Sequence, residues 1–349
     1  MGRILRPQPA AGPVRVLIVD DSATMRQLIR AGLATDPRIR VIGEAGSARA
    51  ARDAVKALTP DVMTLDVEMP GMDGIEFLDR LMRARPMPVV MFSSLTAEGS
   101  RAALRALSLG AVECLEKPRF AEAGETFARL ADTLVAAAAA RVGGAGRGQA
   151  PATAALHPGW RWNGKWVLIG ASTGGVEALE AVLRSYPENG PPTLITQHMP
   201  AAFLVSFAAR LDSTLRPRVR LAAEGDRPRQ GEIYIAPGDA HLTLNADGET
   251  LHLTTGPKRS GHRPSVDEMF AAFRPLAERI VAVILTGMGR DGAAEMKRLR
   301  DAGATCIGQD EASAVVFGMP RVAQELGAVE TVLPLDAIAG EILRRTARA

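Results

Sequence analysis

Apolar runs and helical stripes alternate along the first 140 residues or so. Val14-Arg-Val-Leu-Ile-Val19 is nearly continuous in apolar side chains, the pattern of a strand covered on both faces, and it stops at Asp20-Asp21. Ser22 can cap a following helix that carries Met25, Leu28, Ile29 and Leu33 at helical spacing. The same reading gives a strand over Arg38 to Glu44, a helix over Ala48 to Leu58, and a third strand from Asp61 to Leu65 that ends at Asp66. A turn-rich loop, Val67 to Gly74, leads into a helix over Ile75 to Ala84. Pro88 to Ser94, Arg101 to Leu109 and Ala111 to Leu115 continue as strand, helix and strand, and Glu116-Lys117-Pro118 closes the last one. Regular alternation over residues 14–138 predicts an α/β domain built on a doubly wound, five-stranded parallel sheet.

The pattern then lapses. An alanine-rich helix end gives way to Gly143-Gly-Ala-Gly-Arg-Gly148 and a stretch from Pro151 to Gly159, which reads as a flexible linker over 139–164. His157 falls in it and is given no role. Periodicity resumes at Trp166 and predicts a second α/β domain over 165–349. Its strands are expected at Trp166 to Ile169, Thr193 to Gln197, Ile280 to Leu285 and Thr305 to Gly308. Helices are expected over Glu177 to Arg184, along Phe203, Phe207 and Leu211, and along Val266, Phe270, Phe273 and Leu276. Val316 to Leu326 and Ile338 to Arg345 complete the chain. Three short strands, Ile233 to Ala236, His241 to Leu244 and Leu251 to Thr254, lie between turn signals and suggest a hairpin inserted into a mostly parallel sheet.

Composition narrows the class. At 349 residues the chain has room for two cores. A net charge of +3 without a long basic run does not point to nucleic acid. Cys114 and Cys306 fall in separate strands, as reduced core thiols do. No apolar run reaches the roughly 18 residues of a membrane span, and residues 1–13 lack the apolar centre of a signal peptide. The expectation is a cytoplasmic protein that is not inserted in a membrane.

Candidate chemistry collects where strands end, which is where ligands bind in sheets of this kind. In the first domain Asp20, Asp21, Asp66, Ser93 and Lys117 all fall there. Separately, such acids cap helices and such a lysine is solvated. Together, three carboxylates repel unless a hard divalent cation such as Mg²⁺ lies among them. Asp20-Asp21, Leu65-Asp66-Val-Glu-Met-Pro-Gly-Met-Asp-Gly74, Ser93 and Lys117-Pro118 resemble the receiver domain of two-component response regulators. The resemblance implies Asp66 as phosphoacceptor. It implies Asp21, Asp66 and the backbone carbonyl of Glu68 as Mg²⁺ ligands, with Asp20 acting through water, and Ser93 and Lys117 as readers of the phosphoryl group.

In the second domain the strand at Trp166 ends in Gly170-Ala-Ser-Thr-Gly-Gly175, which fits G-x-S-x-G. Such a turn presents a serine nucleophile, cradles a phosphate, or merely turns the chain. Two further strand ends carry His198 and, after Thr286-Gly-Met-Gly-Arg290, Asp291. Ser172, His198 and Asp291 can thus meet as nucleophile, general base and orienting acid. Aspartate before Gly292 also suits a helix cap. His241 and His252 read as structural or surface residues, and His262 as a possible substrate contact.

Five strings in order, Ile169 to Gly175, Gln197-His-Met-Pro200, Ile235 to Asp239, His262 to Asp267 and Leu285 to Gly292, follow the receiver. That combination resembles the chemotaxis response-regulator protein-glutamate methylesterase family. The resemblance implies Ser172, His198 and Asp291 as the triad, hydrolysis of receptor glutamyl methyl esters to glutamate and methanol, and deamidation of receptor glutamines. Chemoreceptor helices would be the substrate and a sensor histidine kinase the phosphodonor, and the esterase reaction itself would need no cofactor. Backbone N–H groups near Thr173 and Met288, in the two glycine-rich turns, are expected to hold the oxyanion. A DNA-binding output would require a basic recognition helix, and a nucleotide-binding one a G-K-[ST] after the glycines; neither string is present.

Overall fold

A computed structural model describes residues 12–69, 72–93, 97–118, 123–140 and 160–348. The chain divides into two compact units, Met1–Ala145 and Gly146–Ala349. Most of the expected linker (141–159, with His157), the N-terminal tail through residue 11, and Pro70 and Gly71 lie outside the described residues.

The first unit runs β1 (Val14–Val19), α1 (Ala23–Leu33), β2 (Ile39–Ala45), α2 (Ala48–Leu58), β3 (Val62–Leu65), α3 (Gly74–Ala84), β4 (Val89–Ser93), α4 (Ala97–Leu109), β5 (Glu113–Glu116) and α5 (Ala123–Ala138). Its five strands are parallel, in the order β2-β1-β3-β4-β5. Val16–Val19 and all of β3 are buried, as their almost wholly apolar sequences require. Helix starts follow local chemistry: Ser22, Ser47 and Asp73 accept from Met25 N, Ala50 N and Glu76 N. Because β1 and β3 are neighbours, Asp20 and Asp66 leave adjacent strand ends.

The second unit runs β6 (Trp166–Ala171), α6 (Gly175–Leu183), β7 (Thr193–Gln197), α7 (Ala201–Thr214), β8 (Arg218–Leu221), β9 (Glu232–Ile235), β10 (His241–Leu244), β11 (Leu251–Thr254) and α8 (Val266–Ala272). A 3₁₀ turn (Arg274–Arg279) leads to β12 (Ile280–Ile284), α9 (Ala293–Asp301), β13 (Thr305–Gln309), α10 (Met319–Glu325), β14 (Thr331–Leu333) and α11 (Leu335–Arg345). Seven parallel strands are ordered β14-β13-β12-β6-β7-β9-β8, and β10-β11 form a separate antiparallel hairpin. One face of the sheet packs Leu168, Leu194, Tyr234 and Ile280 against Phe270, Phe273 and Met296 in a single buried cluster.

Three sequence expectations shift here. Ile233–Ile235 belongs to the main sheet, beside β7, so the inserted hairpin is β10-β11 alone. β8 and β14 were not legible as strands. The stripe from Val266 to Leu276 is not one helix: α8 ends at Ala272, and Leu276 has φ −106° and ψ 17° within the 3₁₀ turn that Pro275 helps begin.

The strand order fixes the site. From β6 the chain builds outward through β7 and β9, then returns to lay β12 against the opposite edge of β6. Such a reversal leaves a crevice beyond the carboxyl ends of the two strands that flank it. Ser172 follows β6, His198 follows the adjacent β7, and Asp291 lies in the loop after β12.

Candidate active site

Ser172, His198 and Asp291 are all buried. The serine turn is held from both sides. Ser172 N–H donates to Thr286 O at 3.1 Å, and Gly175 N–H returns to Ser172 O at 2.7 Å. Thr286 Oγ1 donates to Thr173 O at 2.9 Å, and Gln309 Oε1 accepts from Thr286 N–H at 2.7 Å. Gly287 has to be a glycine, since a Cβ there would stand 2.8 Å from Ser172 Cβ and 2.4 Å from Met319 Sδ. The turns after β6 and β12 are therefore one packed unit.

His198 is registered against that unit by its own backbone, whose N–H donates to Ala171 O at 3.1 Å. Its ring makes one strong contact, Nε2 to Asp291 Oδ2 at 2.7 Å. Its Nδ1 is buried and has no hydrogen-bond partner; Ser172 Oγ does not bond it. A buried imidazole nitrogen without a partner is unusual in structure kept for stability alone.

Asp291 does not cap α9; Gly292, with φ 86°, occupies that position. The carboxylate instead faces the N-terminus of α8. Besides His198 it accepts from Ser265 Oγ (2.8 Å), Val266 N–H (2.7 Å) and Asp267 N–H (3.0 Å). Burial alone would push its pKa up, but the hydrogen bond and charge of His198 and the backbone donors bring it down to about 2. Asp291 is thus an anion at neutral pH. Beside it, burial and the Asp291 charge push Asp267 upward.

Several of these supports are absent from the sequence reading. His241 is buried, accepts from Ser265 N–H at Nδ1 (3.2 Å) and meets Pro257 O through Nε2 (3.0 Å), so it braces the residue that braces Asp291. His252 pairs with Glu224 on the surface. Ser265 is both the cap of α8, accepting from Glu268 N, and a donor to Asp291. The available signal was Ser265 followed three residues later by Glu268, a capping pattern. His262 lies flat against His198, with ring centroids 3.7 Å apart and planes 8° from parallel.

In the first unit, carboxylate oxygens of Asp20, Asp21 and Asp66 lie within 4.8 Å of one another. Lys117 Nζ donates to Asp66 Oδ2 at 2.6 Å and lies 2.8 Å from Asp20 Oδ2. Burial would lower the pKa of Lys117, but hydrogen bonds to Asp20 and Asp66 hold it above the usual lysine value. Burial raises Asp66, with Lys117 opposing and Asp20 adding to the rise. Lys117 N–H also donates to Ser93 O at 2.9 Å, tying the ends of β5 and β4, and Ser93 Oγ is buried without a partner. Glu68 is exposed, and its backbone bonds Asp66. Among the described residues no helix is long and apolar enough to cross a membrane.

Comparison with known proteins places both units. Residues 167–342 match the family model of the CheB methylesterase domain, and residues 16–126 that of the response regulator receiver domain. A protein-glutamate methylesterase/protein-glutamine glutaminase of Rhizobium johnstonii is 51% identical over 97% of this chain and 98% of its own. One from Agrobacterium fabrum is 52% identical over 95% of this chain and 96% of its own. The crystal structure of the Thermotoga maritima CheB methylesterase catalytic domain is 39% identical and covers 52% of this chain and 98% of that one, with a TM-score of 0.51. With both domains matched and half of all residues identical across nearly its full length, the chain belongs to the CheB methylesterase family and carries the family's catalytic domain behind a receiver domain.

Proposed function

We propose that this chain is a receiver-regulated serine esterase that hydrolyses glutamyl methyl esters on chemoreceptors to glutamate and methanol, and deamidates receptor glutamines. Its relatives' names state the two activities, protein-glutamate methylesterase and protein-glutamine glutaminase. The observation that carries the assignment of residues is the His198–Asp291 pair, whose free ring nitrogen is buried at the strand end next to Ser172.

Ionised Asp291 accepts the Nε2 proton of His198, which leaves the Nδ1 lone pair to act as base. Ser172 Oγ attacks the ester carbonyl as its proton passes to Nδ1. The C=O electron pair moves to oxygen, and the tetrahedral intermediate forms. Backbone N–H groups of Thr173 and Met288 are the oxyanion donors we assign; no intramolecular acceptor engages either among the described residues. Each such donor is typically worth about 3 kcal/mol. As the intermediate collapses, the C–O bond to methoxide breaks and Nδ1 returns the proton, releasing methanol. Water, deprotonated by Nδ1, then opens the acyl-enzyme to glutamate and regenerated Ser172.

In the receiver, Asp66 is the phosphoacceptor, and Lys117 and Ser93 contact the phosphoryl oxygens. The all-oxygen donors fit a hard divalent cation. Mg²⁺ would be held by Asp21, Asp66 and the carbonyl of Glu68, with Asp20 acting through water, and would neutralise charge on the transferring phosphoryl group. The donor is a sensor histidine kinase and the substrate a receptor's cytoplasmic helix. Methanol release from a methylated receptor tests the esterase assignment, with Ser172→Ala as control. Near wild-type release by Ser172→Ala would remove Ser172 as nucleophile.

A further inference from the structure

His262 contributes nothing to the steps above, yet the chain takes trouble over where it sits. Arg259 and His262 close a two-residue turn by reciprocal hydrogen bonds, Arg259 N–H to His262 O at 3.0 Å and His262 N–H to Arg259 O at 2.9 Å. Both central residues are left-handed, Ser260 with φ 52° and Gly261 with φ 82°. Serine is an uncommon choice for that conformation, and here its Oγ donates to Asp267 Oδ2 at 2.8 Å. Arg259 reaches Glu268 at 3.3 Å and also pairs with Glu295, while Arg263 Nη1 donates to Thr255 O and Gly256 O. The turn is pinned on both sides to α8, α9 and the segment just after β11. What it delivers is the His262 ring, face to face with His198.

A stacked ring touches neither edge of its partner. It leaves Nε2 of His198 to Asp291 and Nδ1 open, while blocking rotation of the ring out of that plane. It also offers a π face to a group that becomes a cation each time the serine proton is taken, and aromatic faces attract cations. We propose that His262 is a positioning residue for His198: the flat face of its ring fixes the plane of the base and stabilises the imidazolium formed during acyl transfer. The inference rests on the assignment of Ser172, His198 and Asp291 made above.

The test uses the full-length protein and methylated receptor, with Ser172→Ala, His262→Ala, His262→Leu and His262→Phe side by side. Readouts are kcat, KM and the acid limb of the pH profile of kcat/KM. Asp291, from the loop after β12, bonds the His198 ring directly; Asp267 of α8 takes the Ser260 hydroxyl of the turn, and His241 of β10 acts through Ser265. All remain in every His262 variant, so a displaced limb reports the lost stack. The expected result is a kcat about tenfold lower in His262→Ala and His262→Leu, KM nearly unchanged, and an acid limb moved to lower pH. His262→Phe, which keeps a flat π face, is expected within a few-fold of wild type with its limb in place. A rise in KM alone in all three variants would make His262 a substrate contact and overturn the proposal. So would Leu and Phe variants with equal kcat, or a lowered melting temperature with kcat and limb unmoved. Activity surviving in Ser172→Ala would instead strike the triad assignment, whatever the His262 variants show.

Discussion

His198 meets Asp291 through Nε2, 2.7 Å from Oδ2, and that choice of ring nitrogen decides which atom is left for Ser172. Nδ1 lies close to the main chain, so a base acting through it has a short reach. The serine must therefore come from the strand immediately beside the histidine's own. Pairing of β6 with β7, and the bond from His198 N–H to Ala171 O, supply that closeness.

Loss of either reacting partner should remove most of the rate. Ser172→Ala and His198→Ala are expected to lower kcat by at least about 10³-fold, with near-UV circular dichroism unchanged. Both positions are read by methanol release from methylated receptor.

Asp291→Asn should act on the rate and on acid stability together. The amide no longer holds the Nε2–H tautomer, and a loss of roughly 10²- to 10⁴-fold in kcat is expected. The native pKa of about 2 lies below the ordinary value near 3.9. Ionised Asp291 therefore contributes stability above about pH 4, and this contribution is lost as pH falls toward 2. Urea midpoints measured from pH 5 to pH 3 should fall less steeply in Asp291→Asn than in wild type. Parallel slopes would show that the carboxylate is not linked to folding in this way.

Ser265→Ala removes a helix cap and a donor to Asp291 in one step. A stability loss of about 0.5–2 kcal/mol is expected from the cap. With Val266 and Asp267 N–H still in place, kcat should drop several-fold, far less than for Asp291→Asn. Equal losses in the two variants would mean that Ser265, rather than the backbone of α8, fixes the carboxylate.

Acetyl phosphate with Mg²⁺ should add one phosphoryl group to wild type and none to Asp66→Asn, as intact-mass measurement reads directly. Phosphorylation should change the esterase rate of the full chain. Lys117→Arg should still be labelled yet respond poorly, since a planar guanidinium cannot replace the compact ammonium between Asp20 and Asp66. Full labelling of Asp66→Asn would place the acceptor on another side chain.

The buried strands were readable because β1, β3, β6 and β12 are largely covered on both faces and so spell nearly continuous apolar runs, interrupted only at Arg15 and Thr64. Residues at their ends followed from the same signal. β8 was not readable, because Arg218 and Arg220 alternate with Val219 and Leu221 on an edge where only one side needs covering. The partners of Asp291 were hidden for a different reason. Ser265 and Val266 lie 26 and 25 residues away, and a hydrogen bond over that separation leaves no periodicity to detect. His241 alternates along β10 like any strand residue, so its support of Ser265 showed only once the hairpin was folded against α8.

The two rims of the seven-stranded sheet bear on how the protein behaves in a crowded solution. A parallel sheet that ends in a bare strand invites a second molecule to add its own. On one side the last strand is β14, three residues long, which offers too few backbone groups to template another chain. On the other, β8 carries Arg218 outward, and two copies brought together there would set one Arg218 guanidinium against another, while Arg220 is already paired with Asp226 and Glu232. Shortness guards one border and like charge the other, so this enzyme should stay dispersed at high concentration, and more so at low ionic strength, where the repulsion reaches further.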